Sequence, residues 1–267
     1  MKDNKLVALF GQLWPALTRR TNKIPYAPVI VLGNQKSGTS VIANLIAEYG
    51  DLSRIIDIPE TWWPALKYLL SGEQDLAEFV KKHKRRFSKG VIKEPNLTFL
   101  YPQLKTVLPC AKYLFVIRDP RTNIRSILNR VGLPGNATDK VLKQLTIPHK
   151  WKPIFDANLW KLTGRHYIDI LAERWNLAVD VYLDNMEDML LFRYEDFLVD
   201  KISSIHEIGQ KLNIEHRRSI DSIIDIQYQP IGDQNVSPEI FFGAENLKRI
   251  EKRCKDRMHQ LQYIINN

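Results

Sequence analysis

The sequence predicts an α/β fold, with a single domain built on a parallel sheet that helices flank. Short runs of apolar residues recur along the chain, and each run leads through a turn into a segment with helical periodicity. The predicted strands cover residues 29–32, 91–93, 113–117 and 189–193. The 267 residues are enough for one large domain, which we expect to span 1–267 with a peripheral helix over 1–20.

The first strand, turn and helix form the clearest unit, PVIVLGNQKSGTSVIANLIAEY over residues 28–49. The apolar strand runs into Gly33, a polar loop follows, and apolar residues then recur at helical spacing from Ser40. Such a loop directs backbone N–H groups and the positive end of a helix at one spot. The unit therefore predicts a site for a phosphate group.

The loop differs from the Walker A motif, G-x-x-x-x-G-K-[ST], in the position of its lysine. Gly33 and Gly38 have the correct spacing, but Thr39 stands where the motif has lysine, and Lys36 lies inside the loop. The Walker lysine reaches the β- and γ-phosphates of a nucleoside triphosphate. Its absence from that position disfavours an ATP or GTP hydrolase.

Two later strands also end on polar residues before a predicted helix. The strand at 112–117 leads to Arg118, and Asp119 with Pro120 predicts a helix start, as N-cap and first helical residue. The strand near 189–193 leads into Arg193-Tyr194-Glu195-Asp196-Phe197. The carboxyl ends of parallel strands meet at one edge of a sheet, where ligands bind.

The composition limits the classes of partner. The net charge of +9 favours an anionic ligand, either a small polyanion or a nucleic acid. The basic run KKHKRR at 81–86 contains no aromatic residues, which favours a solvated helix end over a nucleic-acid site. No stretch of 18 apolar residues occurs, so we expect no membrane span.

The two cysteines, Cys110 and Cys254, have neither metal nor redox spacing. We expect a reducing compartment, the cytoplasm, and no metal site, because no cluster of His and Cys ligands occurs in the sequence.

Three segments together resemble the sulfotransferases that use 3′-phosphoadenosine 5′-phosphosulfate (PAPS). Lys36-Ser37-Gly38-Thr39-Ser40 is similar to their 5′-phosphosulfate loop. Arg118 with Ser126, eight residues later, is similar to their 3′-phosphate motif, and Arg193–Phe197 to a segment whose tyrosine lies near the adenine. The segments occur in the family's order within residues 28–215.

The resemblance implies a P-loop-like sulfotransferase fold of the bacterial, soluble type, with PAPS as co-substrate and 3′,5′-bisphosphoadenosine (PAP) as product. It also implies a set of cofactor-binding residues: Gln35, Lys36, Ser37, Gly38, Thr39, Ser40, Arg118, Ser126 and Tyr194.

The resemblance gives two patterns for the catalytic base. Cytosolic small-molecule sulfotransferases have Lys-x-His, but Pro95 stands at the histidine position after Lys93. Tyrosylprotein and several bacterial sulfotransferases have a glutamate after the first core helix, and Glu60 matches it by position and context. We therefore predict Glu60 as base, with Glu94 as the alternative.

Other residues have supporting roles in this prediction. Lys36 and Lys93 would stabilise the bridging oxygen of the leaving group. Trp62 and Trp63 would line the acceptor site.

These features predict transfer of the sulfuryl group from PAPS to a hydroxyl or amine of a small-molecule acceptor, a specialised metabolite. Acceptor specificity is expected in the excursions at 131–153 and 226–242, and neither the acceptor nor the oligomeric state follows from the sequence. Two other functions stay open, a P-loop-fold small-molecule kinase and a non-catalytic PAP-binding protein.

Overall fold

The computed structural model describes residues 27–137, 146–226 and 236–264. The helix predicted over 1–20 lies outside these ranges, and the excursions at 131–153 and 226–242 are described only in part. The extent of the domain over 1–267 therefore stays a prediction.

One parallel sheet organises the described residues. Its strands are β1 (Val29–Leu32), β2 (Arg54–Ile56), β3 (Val91–Lys93), β4 (Lys112–Ile117) and β5 (Met189–Arg193). They are hydrogen-bonded in the order β2-β3-β1-β4-β5, and every pairing is parallel. The α/β fold class and the four predicted strands are confirmed. The sequence did not predict β2, because this strand at the sheet's edge has only three residues, none of them buried.

Helices alternate with the strands. They are α1 (Thr39–Tyr49), α2 (Ala65–Ser71), α3 (Leu76–Lys82), α4 (Lys84–Phe87), α5 (Tyr101–Val107), α6 (Pro120–Val131), α7 (Tyr167–Leu183), α8 (Tyr194–Val199), α9 (Lys201–Lys211) and α10 (Pro238–Gln260). Short 3₁₀ turns cover Pro59–Thr61, Pro95–Leu100 and His149–Phe155.

The segment that follows β5 forms two helices, α8 and α9, which meet at Asp200. The Asp200 side chain accepts a hydrogen bond from the Ser203 N–H (3.0 Å), which caps a second helix. The helices α3 and α4 likewise meet at His83.

The strand β1 lies at the centre of the sheet and is buried on both faces. Ile30 and Leu32 pack on the side that carries α6, α7 and α10, whereas Val29 and Val31 pack on the side of α1 and α9. Successive side chains of a strand point to opposite faces, so a strand covered on both sides reads as a continuous apolar run. This arrangement places the carboxyl end of β1 between those of β3 and β4.

Candidate active site

A cavity of about 920 Å³ lies at the carboxyl edge of the sheet. Basic side chains outnumber acidic ones in its wall. The basic residues are Lys36, Lys93, Arg118, Arg125, Arg130, Lys150 and Lys201, and the acidic ones are Asp57, Glu94 and Asp225. Such a wall attracts an anionic ligand.

The loop between β1 and α1 borders this cavity. Its conformation requires glycine at two positions, since Gly33 has φ 136° and Gly38 has φ 93°. A Cβ at Gly38 would lie 2.1 Å from the ring of Tyr194, so the loop and this ring pack with no room for a side chain. Gly38 is also the N-cap of α1, whose first N–H groups lack partners within the helix. The N-terminus of α1 therefore borders the cavity, at the place where the sequence predicts a phosphate group.

Side chains from two other elements hold the loop. The Gly33 N–H donates to Thr98 Oγ1 (2.9 Å), and Gln35 Nε2 donates to Asn96 Oδ1 (3.1 Å). Asn123 Nδ2 donates both to the Gln35 carbonyl (2.9 Å) and to Ser37 Oγ (3.0 Å). The hydroxyl of Ser37 is thus engaged in the interior, and this residue does not line the cavity.

Arg118 follows β4 and reaches the same loop. Its Nε donates to Thr122 Oγ1 (3.0 Å) and its Nη1 to the Lys36 carbonyl (3.3 Å), while its guanidinium lies 5.0 Å from the centre of the Tyr194 ring. Burial is the main cause that lowers the pKa of Arg118. Ser126 lies two turns further along α6 and lines the same cavity.

The structure therefore brings together all but one of the residues predicted to bind cofactor. Those lining the cavity are Gln35, Lys36, Gly38, Thr39, Ser40, Arg118, Ser126 and Tyr194. Thr122 also lines it and was not predicted, although its position one turn after Arg118 is a usable signal.

Lys36 lies in a cluster of positive charge. Burial, and then the charges of Arg130, Arg118 and Lys93, lower the pKa of Lys36 to about 8. These neighbouring cations repel one another. An anionic ligand would relieve that repulsion.

Lys93 and Asp57 form an ion pair in the cavity wall. Lys93, the last residue of β3, is 4% exposed, and its ammonium donates to Asp57 Oδ1. The Asp57 N–H donates in turn to the Lys93 carbonyl (2.8 Å). The Asp57 side chain remains 37% exposed and lines the cavity. Sequence reasoning missed Asp57 because it follows β2, the strand that was not predicted.

Glu94, the alternative base, lies next to this pair but is 1% exposed. Its Oε1 accepts from the Asn96 N–H (3.0 Å), and its Oε2 accepts from the Ile58 N–H (2.8 Å) and the Trp62 indole (3.1 Å). Burial raises the pKa of the Glu94 carboxyl. Because donors contact both of its oxygens, Glu94 holds the backbone at Ile58 and Asn96 and fixes the orientation of the Trp62 ring.

Glu60, the predicted base, does not line the cavity. It lies on the 3₁₀ turn Pro59–Thr61, and its Oε1 accepts from Nε of Arg86 and pairs with Nη2, both at 2.8 Å. Burial acts to raise the pKa of Glu60, but the hydrogen bond and charge of Arg86 outweigh it and the pKa is lowered. The structure does not bring Glu60 to the lysines of the cavity, so the geometry gives no support to its prediction as base.

Glu195 of the Arg193–Phe197 segment fixes the turn that carries Arg118. Its Oε1 accepts from the Asp119 N–H (2.9 Å), and its Oε2 accepts from the Tyr263 hydroxyl (3.1 Å). Trp175 Nε1 donates to the carbonyl of Arg118 itself (2.9 Å). These contacts hold the turn at Arg118 from α8, from α7 and from Tyr263, which follows α10.

Comparison with known proteins identifies the fold. No family model and no curated protein matches the chain in sequence. Among solved structures, it is similar to the sulfotransferase STF9 from Mycobacterium avium, with TM-score 0.54, 14% identity, and coverage of 95% of this chain and 81% of that one. It is also similar to the mouse sulfotransferase SULT7A1 complexed with PAP, with TM-score 0.51, 16% identity, and coverage of 88% and 85%. The chain has the sulfotransferase fold.

Within this fold, the loop after β1 and the turn after β4 are the two segments that the sequence predicted as phosphate sites. The P-loop-like sulfotransferase fold inferred from the resemblance is thereby confirmed.

In the described parts of the chain, no helix is both long and apolar enough to cross a membrane. Nor do His, Cys, Asp and Glu side chains cluster there as metal ligands.

Proposed function

We propose that this chain is a PAPS-dependent sulfotransferase that acts on a small-molecule acceptor. The contact between Arg118 Nη1 and the Lys36 carbonyl supports the proposal most strongly. It joins the segment expected at the 3′-phosphate to the loop expected at the 5′-phosphosulfate. One bound nucleotide with a phosphate at each end can therefore engage both.

The residues of the cavity divide between the two ends of such a nucleotide. The backbone of the loop, the N-terminus of α1 and Lys36 would hold the 5′-phosphosulfate. Arg118 and Ser126 would hold the 3′-phosphate, since the planar guanidinium binds two phosphate oxygens at once. Tyr194 would lie beside the adenine.

We propose Asp57 as the base in place of Glu60. The acceptor oxygen or nitrogen attacks sulfur, the bond from sulfur to the phosphate oxygen of PAPS breaks, and the acceptor proton passes to the carboxylate of Asp57. Asp57 is half-exposed in the cavity wall, and its pairing with Lys93 fixes its position. Lys36 and Lys93 would stabilise the charge that develops on the leaving oxygen, which departs on PAP.

The acceptor would occupy the part of the cavity lined by indole rings. Trp62, Trp63 and Trp160 lie there with Leu66, and the Lys150 ammonium lies 5.3 Å from the Trp62 ring. Such a wall favours an acceptor with an apolar body. That the acceptor is a specialised metabolite, and that the reaction occurs in the cytoplasm, stay predictions.

Incubation with PAPS and a library of hydroxylated and amine compounds tests the proposal. We expect one acceptor class to gain the sulfuryl group, with PAP released in equal amount. A protein that binds PAP but transfers nothing to any library member would favour the non-catalytic alternative. Transfer of phosphate from ATP to a library member would favour the kinase.

A further inference from the structure

Arg174, on α7, is a fully buried arginine without a carboxylate partner among the described residues. Its guanidinium lies between two rings, 4.6 Å from the centre of Phe99 and 4.5 Å from that of Trp160. Its Nε and Nη2 are buried and have no hydrogen-bond partner in the described part of the chain. Burying a charged group with so few partners destabilises the folded state. Stability alone therefore does not explain why an arginine stands at this position.

Among the described residues, Arg174 makes one hydrogen bond, and that bond leads to the phosphate-binding loop. Its Nη1 donates to Asn34 Oδ1, and Asn34 Nδ2 donates to Asn123 Oδ1 (2.9 Å). Asn123 Nδ2 then donates to the Gln35 carbonyl and to Ser37 Oγ. The bonds run in one direction, from α7 to Asn34 of the loop, from there to Asn123 on α6, and back to the loop at residues 35 and 37.

An arginine can only donate, and this property sets the direction. Asn34 must turn its oxygen towards Arg174, so its amino group faces Asn123. Asn123 must then turn its oxygen towards Asn34 and its amino group towards the loop. Asn34 and Asn123 are 3% and 0% exposed, so water does not replace a lost partner.

We propose that Arg174 is a positioning residue for the phosphate-binding loop, because it fixes the orientation of the Asn34 and Asn123 amides that hold residues 35 and 37. Burial lowers the pKa of Arg174 to about 9, so the guanidinium stays charged at neutral pH and remains a pure donor. That the loop binds a nucleotide phosphate rests on the proposed function, whereas the positioning of the loop by Arg174 does not.

The ring of Trp160 gives Arg174 a second neighbour of functional interest. Trp160 lines the cavity on the proposed acceptor side and packs on the guanidinium. Arg174 therefore touches the wall of the acceptor site and the hydrogen bonds that hold the loop.

Three substitutions separate positioning from packing: Arg174→Lys, Arg174→Gln and Arg174→Met. Lysine is also donor-only, whereas glutamine can turn over and methionine cannot donate. We expect hydrogen exchange of the amides at 33–38, measured without nucleotide, to quicken about 10-fold in the Gln and Met variants, the effect of one charged hydrogen bond. The Lys variant should stay closer to wild type.

Arg257→Met is the matched control. It removes an ion pair between α10 and Asp180, which lies on α7 as Arg174 does, and in which two nitrogens contact the carboxylate at 2.9 and 3.0 Å. We expect it to leave loop exchange unchanged. Equal exchange in Arg174→Met and wild type, or no advantage of Lys over Gln, would overturn the inference.

Asn34→Asp provides a second test in a variant that keeps Arg174 paired. The carboxylate can still accept from Arg174 but cannot donate to Asn123. Loop exchange should quicken and PAP affinity should fall about 10-fold, although the buried charge has gained a counterion. Unchanged loop exchange here would contradict a role in positioning.

Failure of wild-type protein to bind PAP would instead count against the proposed function, since the exchange measurement uses no nucleotide.

Discussion

Arg118 donates from Nη1 to the backbone carbonyl of Lys36, across 3.3 Å. The contact connects two strand ends that lie 82 residues apart in sequence. Both groups face one cavity, and the Tyr194 ring packs against each segment, on Gly38 and beneath the guanidinium. The nucleotide site proposed here is therefore one continuous structure.

Arg118→Ala should weaken PAP binding by about 10- to 100-fold, the effect of losing hydrogen bonds to a charged group. Ser126→Ala should weaken it by about 2- to 10-fold, because the hydroxyl is a neutral donor. Calorimetric titration measures both. Arg217→Ala is the control, since this exposed arginine pairs with Glu215 outside the cavity. Unchanged affinity in Arg118→Ala would end its assignment to the 3′-phosphate.

Gly38→Ala should abolish measurable PAP binding and lower the melting temperature. The added methyl group would meet the Tyr194 ring at 2.1 Å, so the ring must leave its place under Arg118. Gly132→Ala is a matched control, because Gly132 also has positive φ, at 73°, but apart from its own helix and chain neighbours no described residue has an atom within 4 Å of its Cβ position. Only the backbone strain of about 1–2 kcal/mol applies there. Equal effects of the two substitutions would show that contact with Tyr194 is irrelevant.

Asp57→Asn should lower kcat about 100-fold or more, the usual scale for loss of a general base, while PAP affinity stays near that of wild type. Glu60→Gln is the matched control and should retain most of the activity. The measurement is steady-state turnover of the acceptor found in the library, with PAP affinity determined in parallel. Retained kcat in Asp57→Asn together with its loss in Glu60→Gln would restore the assignment made from the sequence.

PAP affinity should fall as pH rises above about 8, because Lys36 loses its proton there in the free protein. The bound anion raises the pKa of Lys36, so binding takes up a proton. The same shift affects stability. The pKa of Lys36 is about 8 in the folded protein and 10.5 in its usual state, so the unfolded chain binds more protons between these two pH values. The free energy of unfolding therefore rises with pH in this window. Calorimetric titrations with PAP in buffers of different ionisation enthalpy measure the number of protons that the protein takes up on binding. Proton uptake that persists unchanged in Lys36→Met would exclude Lys36 as its source.

The sequence predicted those parts of the site that depend on local pattern. The apolar run of β1 was recognisable because the strand is buried on both faces, and the glycines after it mark the loop. Asp57 was missed because it depends on β2, a short edge strand that carries no apolar run. Glu60 was preferred for its position along the chain, but the 3₁₀ turn directs it to Arg86.

Arg174 shows a different limit of sequence reasoning. It bonds to Asn34 from 140 residues away, and its role depends on the absence of a nearby carboxylate in the described structure. Neither property follows from the residues around it in sequence.

Calorimetric titration of the wild-type protein with PAP, adenosine 5′-monophosphate and ATP–Mg²⁺ tests whether the site is built for a nucleotide with a 3′-phosphate. We expect PAP to bind most tightly, by about 10-fold or more over adenosine 5′-monophosphate, because only PAP carries the 3′-phosphate that Arg118 and Ser126 would hold. Binding of ATP–Mg²⁺ more tightly than PAP, or equal affinity for the two adenosine nucleotides with and without the 3′-phosphate, would contradict it.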